Sequence, residues 1–199
     1  MDKTDFLELV RSSRTFRRFD ESRKVPRDQL LELVDVARFA PCGNNLQVLK
    51  FLVMDDSERV QVCLAHHKWA GLLKDWDGPV QGERPVAYIA ICGPAGAGKN
   101  AVRNQDAGIA AQTIMLAART MGLGGCMVKS YDAQLDAELG LADRGLETVL
   151  LLALGYPTEE VVLEDASAAG GVAYWHDEDD ANHVPKRSVE DLLVEDLLV

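Results

Sequence analysis

Apolar residues recur at helical spacing from the start of the chain: Phe6, Leu7, Leu9 and Val10 stand among polar neighbours in residues 2 to 12, which predicts a short amphipathic helix. Pro26 suits the first turn of a second helix, where its missing N–H costs nothing. Leu30, Leu31, Val34, Ala37 and Arg38 carry that helix on until Pro41 stops it. Phe51 to Met54 reads as a buried strand, Ser57 as the N-cap of a helix reaching His67, and Val86 to Cys92 as a second strand. Residues 104 to 121 predict the longest helix, apolar on nearly all sides as a buried central helix should be. Gly124 and Gly125 break it before Met127 and Val128, and the almost purely aliphatic Val149 to Leu154 predicts an interior strand. Helices and strands interleave irregularly, which predicts an α+β fold.

Two segments fall outside this pattern. Trp69 to Pro79 is punctuated by glycine and proline and carries Trp69 and Trp76, which predicts a lid or binding loop. The tryptophans either line a substrate mouth or merely pack. The tail, residues 187–199, repeats itself: Val189-Glu190-Asp191-Leu192-Leu193 is followed by Val194-Glu195-Asp196-Leu197-Leu198, and its apolar face needs a partner.

Composition narrows the function. A chain of 199 residues fits one domain, residues 1–199. No apolar run approaches the roughly 18 residues that span a bilayer, and the opening residues lack a signal peptide's pattern, so a cytoplasmic protein is expected and a membrane partner is not. A net charge of −11 repels the nucleic-acid backbone, and the arginines of residues 11 to 18 are too local a patch to reverse that field. The four cysteines, at 42, 63, 92 and 126, lack a C-x-x-C pair, so reduced thiols are expected. His66 and His67 are adjacent and point about 100° apart on a helix, while His176 and His183 fall in an acidic C-terminal loop. Solvated histidines and no metal site are the expectation.

Polar chemistry concentrates at two places. Arg14, Arg17, Lys186 and Arg187 either converge on a phosphate or form a solvated basic strip beside Asp20 and Glu21. Asn45 and Gln47 either present carboxamides to the edge of a heteroaromatic ring or cap a turn. Cys42 lacks a histidine or acid nearby in sequence to make it a nucleophile. Asp106 reads as a capping acid at the start of the long helix. Gly93 to Asn100 nearly matches a phosphate loop, but Asn100 lacks the hydroxyl that would ligate Mg²⁺. A flexible surface loop is the better reading, with a nucleotide hydrolase built on Lys99 as a third alternative.

Arg14-Thr15-Phe16-Arg17-Arg18-Phe19 and Ala40-Pro41-Cys42-Gly43-Asn44-Asn45-Leu46-Gln47 resemble the two N-terminal motifs of the FMN-dependent nitroreductases, Arg-Ser-x-Arg-x-Phe and Ala-Pro-Ser-x-x-Asn-x-Gln-Pro, with Val48 where proline is usual. The resemblance continues through Gln105 to Gln112, Gly122 to Cys126, Leu152 to Pro157 and His183 to Arg187. It implies that family's three-layer sandwich, with helices flanking a mostly antiparallel central sheet. It implies FMN as cofactor, NADH or NADPH as electron donor, and a nitroaromatic, quinone or similar small acceptor. Arg14, Thr15 and Arg17 would then meet the ribityl chain, phosphate and pyrimidine end, and Lys186 or Arg187 would also reach the phosphate. Asn45, with Gln47, would bind the polar edge of the ring. Pro41, Cys42 and Gly43 would place small groups against it across a homodimer interface, and Gly124 and Gly125 would let backbone approach it. The flavin carries the chemistry, so no catalytic side chain is required. A flavin-binding protein of the same fold without turnover is the alternative.

Overall fold

A hydrogen-bonded antiparallel pair, β2 (Ala87–Pro94) with β4 (Leu146–Gly155), forms the centre of the sheet, with β1 (Lys50–Met54) added outside β2 and β3 (Gly124–Val128) outside β4. The computed structural model describes residues 2–73 and 76–194. By its contacts the chain divides into two compact units, one of residues 1–69 and 77–158 and the other of residues 70–76 and 159–199. The four-stranded sheet belongs to the first.

Strand residues alternate between two cores, which is why β2 reads as an unbroken apolar run. Ala87, Ile89 and Ile91 face α2 (Arg27–Ala37) and α4 (Ala101–Thr120), burying Leu30, Leu33, Ala111 and Ile114. Tyr88, Ala90 and Cys92 face α3 (Ser57–Ala65) and α5 (Gln134–Glu138), burying Val60, Cys63 and Leu135. The result is the helix–sheet–helix sandwich expected. One irregularity interrupts the central pair: Ile91 faces Leu150 and Cys92 faces Thr148, leaving Val149 as the extra residue of a bulge. The Val149 carbonyl accepts from Lys129 Nζ at 2.5 Å.

Several local readings change. Helix α4 begins at Ala101, where Asn100 caps it by accepting from the Arg103 amide at 3.1 Å. Asp56 caps α3 in place of Ser57, and Pro26 stands just before α2 and not within its first turn. Helix α4 is not buried all round: Ile109 is 41% exposed, and Gln105, Gly108 and Gln112 share its outward face. Gly122, at φ +75°, ends α4 in the left-handed region. Gly124 and Gly125 therefore neither break nor cap the helix; they lie in β3. A Cβ on Gly124 would come within 2.5 Å of Phe16, and one on Gly125 within 2.3 Å of the Ala153 carbonyl.

The turn between β2 and α4 is pinned, contrary to the flexible loop expected there. Gly96 and Gly98 donate their amides to the two oxygens of Glu147, at 2.9 and 2.5 Å, and these amides hold the Glu147 carboxyl below the usual range. The chain's own carboxylate thus sits where a phosphate loop would hold its anion, which removes the physical basis of a hydrolase built on Lys99.

The histidines are not the solvated groups expected either. Asp132 and Glu138 hydrogen-bond the two nitrogens of His66, at 3.0 and 2.9 Å, and raise its pKa. His67 is only 8% exposed, its Nε2 paired with the buried Tyr88 hydroxyl at 2.9 Å, and burial pushes its pKa down to about 4.

In the second unit β7 (Asn182–Lys186) pairs in parallel with β5 (Val161–Asp165) and antiparallel with β6 (Trp175–His176). His176 and His183 therefore lie on strands and not in a loop. His183 bonds Glu164 and Asp177 and stacks on Trp175 with ring centroids 4.2 Å apart. A short α6 (Val189–Leu192) follows; most of the second copy of the tail repeat lies outside the described residues.

Two consequences are measurable. Glu147→Ala should cost about 1–2 kcal/mol in urea unfolding, the value for charge-assisted bonds reduced because the site is partly solvated; unchanged stability would show that the turn holds itself. His67 folds neutral, so acid favours the unfolded chain between its ordinary pKa of about 6.5 and the folded value of about 4. Over that window wild-type stability should fall on acidification more steeply than that of His67→Gln, by up to about 1.4 kcal/mol per pH unit. Parallel pH profiles would contradict the assignment.

Candidate functional site

The loop after α2 brings together Pro41, Cys42, Gly43, Asn45 and Gln47. It is a tight structure: Asn44, Asn45 and Gln47 all have positive φ, of 53, 54 and 48°. Asparagine visits this region at modest cost; glutamine does so less readily, which marks a backbone held in place by its surroundings. Within the loop Gln47 Nε2 donates to Asn45 Oδ1 at 3.3 Å, and the Gln47 amide donates to Cys42 Sγ at 3.4 Å. The two carboxamides expected to act together are thus neighbours, both exposed. Pro41, Cys42 and Gln47, with Ala37, Phe51 and Asp106, line a cavity of about 150 Å³.

Asp106 is the residue that sequence reasoning missed. It caps nothing. It is 4% exposed, and its Oδ1 accepts the Gly43 amide at 2.8 Å while its Oδ2 pairs with Arg103 Nη1 at 2.6 Å. A signal was present: Asp106 precedes Ala110 by four residues, on the stripe that continues through Ala107, Ala111 and Ile114, and so stands on the core face of α4.

The arginine cluster runs along the outer edge of β3. Thr15 bridges Gly125, and the Phe16 amide donates to the Gly125 carbonyl at 3.0 Å. Arg14, half-buried, donates Nη2 to the Val10 carbonyl at 2.7 Å after α1 (Lys3–Ser12). Its Nε is buried without a hydrogen-bond partner, it forms no ion pair among the described residues, and burial pulls its pKa down. A guanidinium taken partly out of water with no acid beside it makes Arg14 a candidate for holding an anion. Arg17 is half-buried on the same segment. Both α1 and the 43–45 turn pack on α4, so one helix carries both halves of the candidate site.

The remaining candidates lie elsewhere. Lys186 and Arg187, exposed at and just past the end of β7, belong to the second unit. Trp69 packs edge-on against His67, with centroids 4.5 Å apart, beside a cavity of about 300 Å³ lined also by Asp77, Pro79 and Arg84. That cavity is on the α3 face of the sheet, whereas the Cys42 cavity is on the α2 and α4 face, so within one chain Trp69 does not line the latter. Trp76 packs edge-on against His176 in the second unit, with centroids 5.9 Å apart, and the segment expected as a lid contains two residues outside the described ones.

Comparison with known proteins gives these positions a context. A family model described as the nitroreductase family matches residues 10–156. The chain is 26% identical over 163 residues, 80% of this chain and 81% of the relative, to a protein of Methanothermobacter thermautotrophicus provisionally named an NADH dehydrogenase/NAD(P)H nitroreductase. Among solved structures it is similar to a provisionally named nitroreductase from Desulfovibrio desulfuricans in complex with FMN, with a TM-score of 0.68 at 24% identity over 95% of each chain. It is also similar to an FMN-dependent nitroreductase from Clostridium difficile, with a TM-score of 0.60 at 25% identity over 77% of this chain and 88% of the other. No described helix is long and apolar enough to cross a membrane. The family match spans Arg14 to Arg17, the 41–47 loop and the whole four-stranded sheet, and the chain belongs to the nitroreductase family.

Proposed function

We propose that this protein is an FMN-dependent oxidoreductase that takes electrons from NADH or NADPH and passes them to a small organic acceptor such as a nitroaromatic or a quinone. The observation that carries the reading is the Arg14 guanidinium, half-buried, with a buried Nε lacking a partner and no compensating acid among the described residues. That donor set fits a phosphate monoester. Arg14, Thr15 and Arg17 would hold the phosphate, ribityl and pyrimidine end. Asn45 and Gln47 would hydrogen-bond the ring edge, and Pro41, Cys42 and Gly43 would leave room beside it, with backbone near Gly124 and Gly125 approaching the ring.

When bound, FMN supplies the electron relay between donor and acceptor. The protein's own contribution is position and shielding: charge-assisted bonds at one end, carboxamide bonds at the other, and a small apolar cavity that limits water. No side chain need give or take a proton in this scheme, in keeping with a loop that offers amides and a thiol but no paired acid and base.

The same reading makes the working unit a homodimer in the cytoplasm. It is supported by the outward face of α4, where Ile109, Thr113 and Leu116 present apolar surface beside Gly108, and by the exposed Leu192 and Leu193 of the tail.

Arg14→Ala should weaken FMN binding roughly ten- to a hundredfold, the loss of one charge-assisted contact at about 1.5–3 kcal/mol. Fluorescence titration measures this, and an unchanged affinity would remove Arg14 from the site. FMN-loaded protein should oxidise NADH or NADPH in steady state when an acceptor is present; binding without oxidation would leave a flavin carrier lacking turnover. Light scattering should give twice the chain mass, and Ile109→Glu should halve it. A wild-type monomer that holds FMN would contradict the dimer.

A further inference from the structure

We infer that Asp106 is a positioning residue that holds the 41–47 loop on α4 and thereby sets where the Asn45 and Gln47 carboxamides stand. The inference rests on the reading of that loop as flavin-binding, and it assigns a role to a residue that would not itself touch the cofactor.

A carboxylate in a nearly dry position is costly unless each oxygen is satisfied. Asp106 is satisfied from two directions. Arg103, one turn earlier on the same helix, neutralises it through Oδ2 at 2.6 Å, and the Gly43 amide binds Oδ1 at 2.8 Å. The ion pair alone would suit a solvated helix face. Placing it on the core side of α4 leaves one anionic oxygen directed at the backbone of a loop 63 residues away in sequence.

The loop is shaped to receive it. A Cβ on Gly43 would come within 2.5 Å of Val102 Cγ1, so glycine lets the backbone lie against the first turn of the helix. Directly after this anchor come the residues with left-handed backbones, Asn44, Asn45 and Gln47. Such conformations persist only where neighbouring structure holds them. Asp106 also lines the cavity shared by Pro41, Cys42 and Gln47, so a shift of Gly43 moves the cavity wall and both carboxamides together.

Asp106→Asn separates positioning from bulk stability, because an asparagine must turn its NH₂ toward either the Gly43 amide or Arg103 and so loses one of the two bonds. FMN affinity, read by fluorescence titration of the apoprotein, should fall at least about tenfold. Ile114→Ala, a core truncation on the same helix away from the loop, should lower the melting temperature but leave that affinity within about twofold. Combining Asp106→Asn with Asn45→Ala should be less than additive in affinity, since a displaced Asn45 has less to lose.

Wild-type affinity in Asp106→Asn, an equal loss in Ile114→Ala, or strict additivity would each overturn the inference. If Asp106→Asn does not fold, Gly43→Ala reads the same contact from the loop: affinity should drop and return when Val102→Ala removes the clash, and no return would overturn the inference. A wild-type chain that fails to bind FMN overturns the flavin reading itself, whereas wild-type binding with an indifferent Asp106→Asn overturns only the positioning role.

Discussion

Helix α4 is tied down at its first two turns, and the candidate site depends on those ties. Asn100 caps it, the preceding turn is fastened to Glu147 of β4 by two amides, and Asp106 holds Gly43. The order of dependence runs from the sheet outward. The β2–β4 pair fixes Glu147, Glu147 fixes the turn, the turn fixes where α4 starts, and that start places Asp106 under the loop. Helix propensity alone would not set this register: several starting positions near residue 100 would satisfy the backbone equally well, and only side chains anchored on the sheet choose among them.

Burial on both faces of the sheet gives the scaffold its rigidity. Tyr88, Ile89, Ala90 and Ile91 are all inaccessible to solvent, and each successive residue of β2 feeds the opposite core. A one-residue slip would exchange the two sets and put the Tyr88 hydroxyl, now paired with His67, into the aliphatic α2–α4 core. The elements of the candidate site can therefore be loops with costly backbones, because the sheet beneath them has one register.

The larger elements were legible in the sequence because their signals are local. The apolar run of β2, the aliphatic β4 and the period of α2 each need a window of about ten residues, and the arginine and asparagine clusters are contiguous. What was not legible is reciprocal over long separations. Nothing near Glu147 says that its carboxylate will meet Gly96 and Gly98, so a near-match to a phosphate loop read as a loose turn. Asp106 looked like a capping acid because its position near a helix start carried more weight than its place on the apolar stripe. His66 and His67 looked equivalent as neighbours, yet one is held by two carboxylates and the other is buried neutral against Tyr88. The glycines of β3 suggested close approach of a ligand, and the structure adds a packing need against Phe16 and Ala153 that sequence spacing does not encode.

Native-state hydrogen exchange at the Gly43 amide tests the central claim most directly. If Asp106 binds that amide from within α4, Gly43 should exchange as slowly as the amides of the first buried turn of the helix, while Asn44 beside it exchanges at a loop's rate. Equal, fast exchange at Gly43 and Asn44 would mean that the loop is not held by the helix, and the account of the site would fail at its foundation.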